Sequence, residues 1–411
     1  MLLWFMLAVG MSASGQLPAP PDTPPPLTLS MALARAKTSS PLRGAAERLV
    51  EGTAASARLA GRALNPQVDV RGENWTPSAS TSLPIDLFAT LSQPLELGGK
   101  RRTRLELASA EHGLAASSLA GIELQVTLRT TQLYVQALKA RGLLATLTAN
   151  RDGLAMLVDT MRRRVDEGRS AEADLLKFAA ESARVDIDVA RARLDLDRSL
   201  QLLAFTIGSP APLAAGELVE PDSIAPPSPT VAAIAAAAVR HPDAALSAAR
   251  LERARRAAAV EHARRVPDAI VTGGYKRTAG IDTLLAGVTM TVPLFDRNGS
   301  AAARADGEAR AAAAEHDAVV RRIASDTTAL VEIARTLSDR ARRAASELLQ
   351  PAGVVRDASL ATFREGAADV MRLIDAERVY ADVRRTALEL RLEALTAVLE
   401  ARVALGEEPI P

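Results

Sequence analysis

The sequence predicts a mainly α-helical chain with a small β part, in which one unit of short helix, β-hairpin and long helical hairpin occurs twice. Three observations predict it. The composition is rich in Ala, Arg and Leu with only 3% aromatic residues, which favours helix. Two long stretches carry small or apolar residues at alternating spacings of three and four, the seam of helices packed side by side. Four punctuation marks, Pro41, Pro66, Pro94 and Gly168, recur about 200 residues later as Pro242, Pro267, Pro293 and Gly366.

Residues 2–11 form a short apolar run followed by Ser12-Ala13-Ser14-Gly15, a small-residue patch suited to cleavage, so 1–15 reads as an export signal peptide. Ten apolar residues are too few to span a bilayer. Residues 16–28 form a proline-rich tether. The first repeat, 29–208, opens with a helix that Thr28 or Ser30 caps, that Pro41 breaks early, and that stops before Asn65-Pro66. The period then changes to two. Val68 and Val70 alternate with Asp69 and Arg71 as far as Trp75, and Ile85, Leu87, Ala89 and Leu91 alternate with Asp86, Phe88, Thr90 and Ser92. These are the two strands of a hairpin, the second ended by Pro94 and Gly98-Gly99.

Lys100-Arg101-Arg102 then opens a helix running to about Val165, with Leu107, Leu114, Gly121, Leu128, Val135 and Gly142 in its seam. The tip Val165-Asp166-Glu167-Gly168 turns into a return helix, which Gly208-Ser209-Pro210 stops. A linker, 209–229, joins this to the second repeat, 230–406, and 407–411 is a tail. The second strand pair covers 269–276 and 283–295, with Leu284, Val288, Met290 and Val292 on one face and Tyr275 in the partner. From Gly299 to the tip Phe363-Arg364-Glu365-Gly366 one continuous helix is expected, about 66 residues and about 100 Å long. A return helix and the short helix after it together match one long helix, so they are expected to stack end to end beside it.

Four alternating strands of about ten residues match tilted transmembrane strands, and lipid requires every edge to be paired. Four strands cannot close alone. Three copies give a twelve-stranded barrel wide enough for water, with every helix projecting from the same side as one trimeric α-barrel tunnel. Trp75, Phe88, Tyr275 and Phe295 lie in or beside the strands, as an aromatic girdle would. The balance of 50 basic against 49 acidic residues leaves no field to recruit nucleic acid. Cysteine is absent, which removes disulfides, thiolate metal sites and a Cys nucleophile. No Ser/His/Asp set, phosphate loop or cofactor fingerprint is visible, so no enzyme activity and no cofactor are expected. His112, His241, His262 and His316 lack partners at ligand spacing, so no metal site is expected either. Lys100, Arg101, Arg102 and Arg104 are placed at the barrel rim, facing lipid head groups.

The duplicated layout, the junction Leu95-Glu96-Leu97-Gly98-Gly99-Lys100-Arg101, its counterpart Val292-Pro293-Leu294-Phe295-Asp296-Arg297-Asn298-Gly299 and the tip-and-return runs resemble TolC-like outer membrane efflux proteins. The cobalt-zinc-cadmium resistance branch is the one they resemble in particular, over about residues 27–406. The resemblance implies a homotrimeric, non-catalytic exit duct in the outer membrane with a long periplasmic extension. It implies partners too: a periplasmic adaptor (membrane fusion) protein and a proton-driven RND-type pump in the inner membrane, with heavy-metal cations as cargo. By the same resemblance the helix tips, Glu167, Gly168, Phe363, Glu365 and Gly366, meet the adaptor. Asp174 and Asp375 form the periplasmic gate, and Arg372 stands where the family's best-known member has an aspartate. A periplasmic coiled-coil adaptor or structural protein is the rival reading, but an adaptor has one helical hairpin. A same-fold duct for drug or protein export is the other.

Overall fold

The computed structural model describes residues 26–74, 85–222, 224–365 and 370–410. The expected signal peptide, most of the tether, Trp75 and Gly366 lie outside the described residues.

Two helices open each half: α1 (Leu29–Ser39) and α2 (Pro41–Ala60), then α5 (Val231–Arg240) and α6 (Pro242–Ala263). The same chemistry sets both pairs. Thr28 Oγ1 accepts from Met31 N at 3.2 Å, and Thr230 Oγ1 accepts from Ala233 N at 3.2 Å. Pro41 and Pro242 each start the second helix of the pair, where a missing N–H leaves no hydrogen bond unmade. Strands β1 (Gln67–Glu73) and β2 (Asp86–Leu95) follow the first pair, β3 (Ala269–Thr278) and β4 (Ile281–Met290) the second. Helices α3 (Lys100–Asp166) and α4 (Glu172–Thr206) make the first long hairpin; α7 (Gly299–Ala344), α8 (Gln350–Arg364) and α9 (Val370–Ala404) make the second. At 67 residues α3 is about 100 Å long.

The two strand pairs join in one antiparallel sheet of order β1-β2-β3-β4. Because the chain enters β1 and β3 from helices and leaves β2 and β4 into helices, all helices project from one end of the sheet. Among the described residues, the two largest of four apolar clusters join helices from both halves. One gathers Leu29, Leu133, Tyr134, Leu203 and Leu399 from α1, α3, α4 and α9 around the linker. The other joins the hairpin tips through Leu154, Met161, Phe178, Phe363, Leu373 and Ile374. Among the described residues no helix is long and apolar enough to cross a membrane.

Four sequence expectations are corrected. β4 ends at Met290, because its partner β3 begins at Ala269, so Val292, Leu294 and Phe295 lie in the connection to α7; Ile85 precedes β2. Pro94 lies inside β2: β1 pairs only as far as Gln67 with Ser92, so Pro94 sits where that side of β2 is unpaired. The second long helix is not uniform. A π turn at Ala345–Leu349 separates α7 from α8, just ahead of Pro351, whose ring would clash with the carbonyl four residues back. Finally, the return helix meets the short helices of its own half: a Cβ on Gly208, just past α4, would stand 2.2 Å from Ser39 O at the end of α1.

Candidate functional site: a two-faced sheet and joined hairpin tips

Residues paired directly across antiparallel strands point to the same face, so the register sorts the sheet. One face carries the rows Val70, Ala89, Tyr275, Leu284 and Val68, Leu91, Gly273, Ala286, with Leu87, Val271, Val288 and Met290 in neighbouring rows. Val68 is 73% exposed and Leu284 89%, so among the described residues no helix covers that face. The other face carries Asp69, Arg71, Glu73, Asp86, Thr90, Ser92, Thr272, Lys276, Thr283 and Thr289. On it the Ser92 and Thr272 hydroxyls lie 2.9 Å apart, and Arg71 Nε lies 3.7 Å from Asp69 and 3.6 Å from Glu73.

At the end of the sheet away from the helices, Asp86 fastens the two strand pairs together. Its carboxylate accepts from Asn74 Nδ2 at 2.8 Å and from Ala279 N at 2.9 Å. Both donors sit in left-handed backbone (φ 62° and 53°), which points them at one carboxylate.

The hairpin tips are built from both halves of the chain. Phe178 of α4 meets Phe363 of α8 edge to face, 6.2 Å between centroids, and Arg164 of α3 lies 4.7 Å over the Phe363 ring. Arg164 also donates to the carbonyls of Phe363 and Arg364 at 3.2 Å, so the first hairpin supplies the cation that caps the last turn of α8. Below this, Glu181 of α4 is only 5% exposed and sits between Arg184 of its own helix (2.7 Å) and Arg378 of α9 (2.9 Å). Hydrogen bonding from Arg378, then from Arg184, lowers its pKa from 4.5 to about 2 against the opposing effect of burial.

An outer membrane efflux protein family model matches residues 32–209. The cobalt-zinc-cadmium resistance protein CzcC of Cupriavidus metallidurans is 28% identical, over 72% of this chain and 70% of its own length. The nickel and cobalt resistance protein CnrC of the same organism is 26% identical over 77% and 73%. Among solved structures, CusC superposes with a TM-score of 0.78 at 15% identity (92% of each chain), and VceC of Vibrio cholerae with 0.75 at 18% identity (92% of this chain, 96% of VceC). The chain resembles outer membrane efflux proteins in sequence over its first half and in fold over 92% of its length. Its sheet is therefore the membrane part, and its helices extend into the periplasm.

A membrane barrel turns its apolar face to lipid and its polar face to the lumen, and this sheet has one face of each kind. Val68, Val70, Leu87, Leu91, Tyr275, Val288 and Met290 share the apolar face. Of the tip residues, Gly168 adopts φ +71°, a conformation open to glycine at little cost, and Glu167 and Glu365 are exposed. Phe363 is instead 2% exposed; it is a core residue between the hairpins, not a docking side chain. Asp174 is paired with Lys177 at 3.0 Å, whereas Asp375 and Arg372 are exposed and make no ion pair among the described residues. Asp375 adds to the charge that raises the pKa of Arg378, though less than Glu181 does. The histidines pin neighbouring helices: His262 contacts Asp306 at 3.0 Å and His316 contacts Ser247 at 2.8 Å. Among the described residues no three His, Asp or Glu converge as metal ligands. Sequence reasoning missed Glu181, Arg378 and Asp86.

Proposed function

We propose that three copies close their sheets into one twelve-stranded barrel and their long hairpins into one tunnel, forming a passive exit duct for heavy-metal cations. Each copy contributes two structural repeats, 29–208 and 230–406, joined by the 209–229 linker, and the duct works with a periplasmic adaptor and an RND-type inner-membrane pump. The observation that carries this reading is the sheet itself: among the described residues β1 and β4 each have a neighbour on one side only, while one face is apolar and uncovered. Lipid does not tolerate a free strand edge, and a second and third copy supply the missing partners. Exposed apolar residues along the outer helices support it, among them Leu176, Ile187 and Leu194 on α4 and Val354 and Val355 on α8. The cargo follows from relatives named for cobalt, zinc, cadmium and nickel resistance.

Two measurements test it. Protein extracted from outer membranes is expected to run as a trimer and to restore cobalt, zinc and cadmium resistance to cells that keep the pump and adaptor but lack this chain. A water-soluble monomer would end the proposal. Asp375→Ala, which removes one exposed carboxylate per copy from the tip, is expected to raise the resting conductance of the reconstituted duct severalfold if Asp375 narrows the entrance. Unchanged single-channel behaviour takes Asp375 out of the gate.

A further inference from the structure

We infer that Lys276, held over the ring of Phe88, forms with its symmetry mates a positive lumenal ring that sets how this duct chooses between anions and cations. The inference rests on the trimeric barrel proposed above. One cross-strand row, Arg71, Phe88, Lys276 and Thr283, runs across all four strands on the polar face. The Arg71 guanidinium lies 5.2 Å and the Lys276 ammonium 5.1 Å from the centroid of the same Phe88 ring. The negative face of the ring holds both cations and limits where each can reach.

Their charges are answered differently. Arg71 Nε lies 3.7 Å from Asp69 and 3.6 Å from Glu73, so carboxylates of its own strand flank it. Lys276 has no ion pair among the described residues, and residues 75–84, which join β1 to β2, contain no Asp or Glu. The carboxylate of Asp86, two residues along β2 from Phe88, is already committed to Asn74 Nδ2 and Ala279 N. Lys276 is thus a fixed lumenal charge with no carboxylate in ion-pair contact among the described residues, repeated three times at one level of a water-filled pore. Such a ring draws small anions to itself and repels free cations. Cations then cross this level with anions gathered at the ring.

The neighbouring residue supplies a matched control. Arg277 carries the same charge one position along β3, on the lipid side, where its Nε lies 3.7 Å from Asp282. In planar bilayers under a KCl gradient of about 0.01 to 0.1 M, where charges act over about 30 to 10 Å, Lys276→Gln is expected to raise the potassium-to-chloride permeability ratio about twofold. Lys276→Glu raises it further, Lys276→Arg returns it to the wild-type value, and Arg277→Gln leaves it unchanged. The wild-type duct gives a second reading that needs no variant: its ratio moves toward that of free solution at about 1 M salt, where charges act over only about 3 Å. A wild-type ratio in Lys276→Gln, an equal change in Arg277→Gln, or a salt-independent ratio overturns the inference. Wild-type protein that forms no conducting pore at all overturns the duct itself instead.

Discussion

Tyr134→Ala is expected to lower the stability of the folded protein by about 3–5 kcal/mol, the range for deleting a large buried aromatic side chain. Tyr134 is completely buried in α3, where the segment before α1, the linker and the long helix meet. Its hydroxyl lies 2.7 Å from Leu27 O and 2.5 Å from Val219 O, donating its one proton between them, and accepts from Val219 N at 3.1 Å. Leu27 N also donates to Glu217 O at 2.7 Å, and Val219 N to Leu27 O at 3.1 Å, so two extended segments are laced to each other and to α3 at one point. Two turns further along the same face, Arg141 donates to Leu218 O at 2.5 Å and fastens the linker again. Tyr134→Phe keeps the ring and loses only the hydroxyl, leaving buried carbonyls short of a donor, and is expected to cost about 1–2 kcal/mol. Heat and guanidinium unfolding followed by far-UV circular dichroism checks both. A Tyr134→Ala protein no less stable than Tyr134→Phe would mean that the ring is not what closes this junction.

Much of this was legible because the chain writes its instructions twice. The cap at Thr28, the prolines at 41 and 242, and two-residue alternation through Val68–Val70 and Leu284–Val288 each use local chemistry, and each appears in the structure where that chemistry puts it. What escaped was non-local. The end of β4 depends on where β3 begins, 21 residues earlier in the chain (Met290 against Ala269), and no property of Val292 or Phe295 announces it. Phe363 looked like a tip residue because it precedes the turn; its burial is imposed by Phe178 and Arg164 of the other hairpin. Pairing of β2 with β3 joins segments about 180 residues apart, so the grouping of Arg71, Phe88 and Lys276 was hidden until the register was known. Glu181 did leave a sign: it occupies the seam of α4 between Phe178 and Val185, at spacings of three and four, where an apolar residue belongs.

That misplaced glutamate carries the second large effect. Glu181→Gln is expected to weaken the union of the two hairpins by about 1–2 kcal/mol at neutral pH. The folded pKa of about 2 against an ordinary 4.5 corresponds to about 3 kcal/mol at most, and the two arginines, 52% and 57% exposed, are screened by solvent, which reduces it. The sign fixes the pH window. The folded-state pKa is depressed, so the stabilisation is complete above about pH 4.5, fades as pH falls toward 2, and is absent below that. The difference in stability between wild type and Glu181→Gln should therefore be constant from pH 7 to 5 and vanish near pH 2; a difference that persists there would mean that packing, not charge, joins the tips. A double-mutant cycle locates the contribution. Arg184 lies three residues along the same helix as Glu181, a geometry worth about 0.2–0.5 kcal/mol, whereas Arg378 comes from the other hairpin and is the first cause of the lowered pKa. Coupling of Glu181 to Arg378 should accordingly exceed its coupling to Arg184. Arg378 lies three residues beyond Asp375 on α9, one turn of helix, so releasing it frees the element that carries the proposed gate, and Glu181→Gln should raise resting conductance together with the loss of stability.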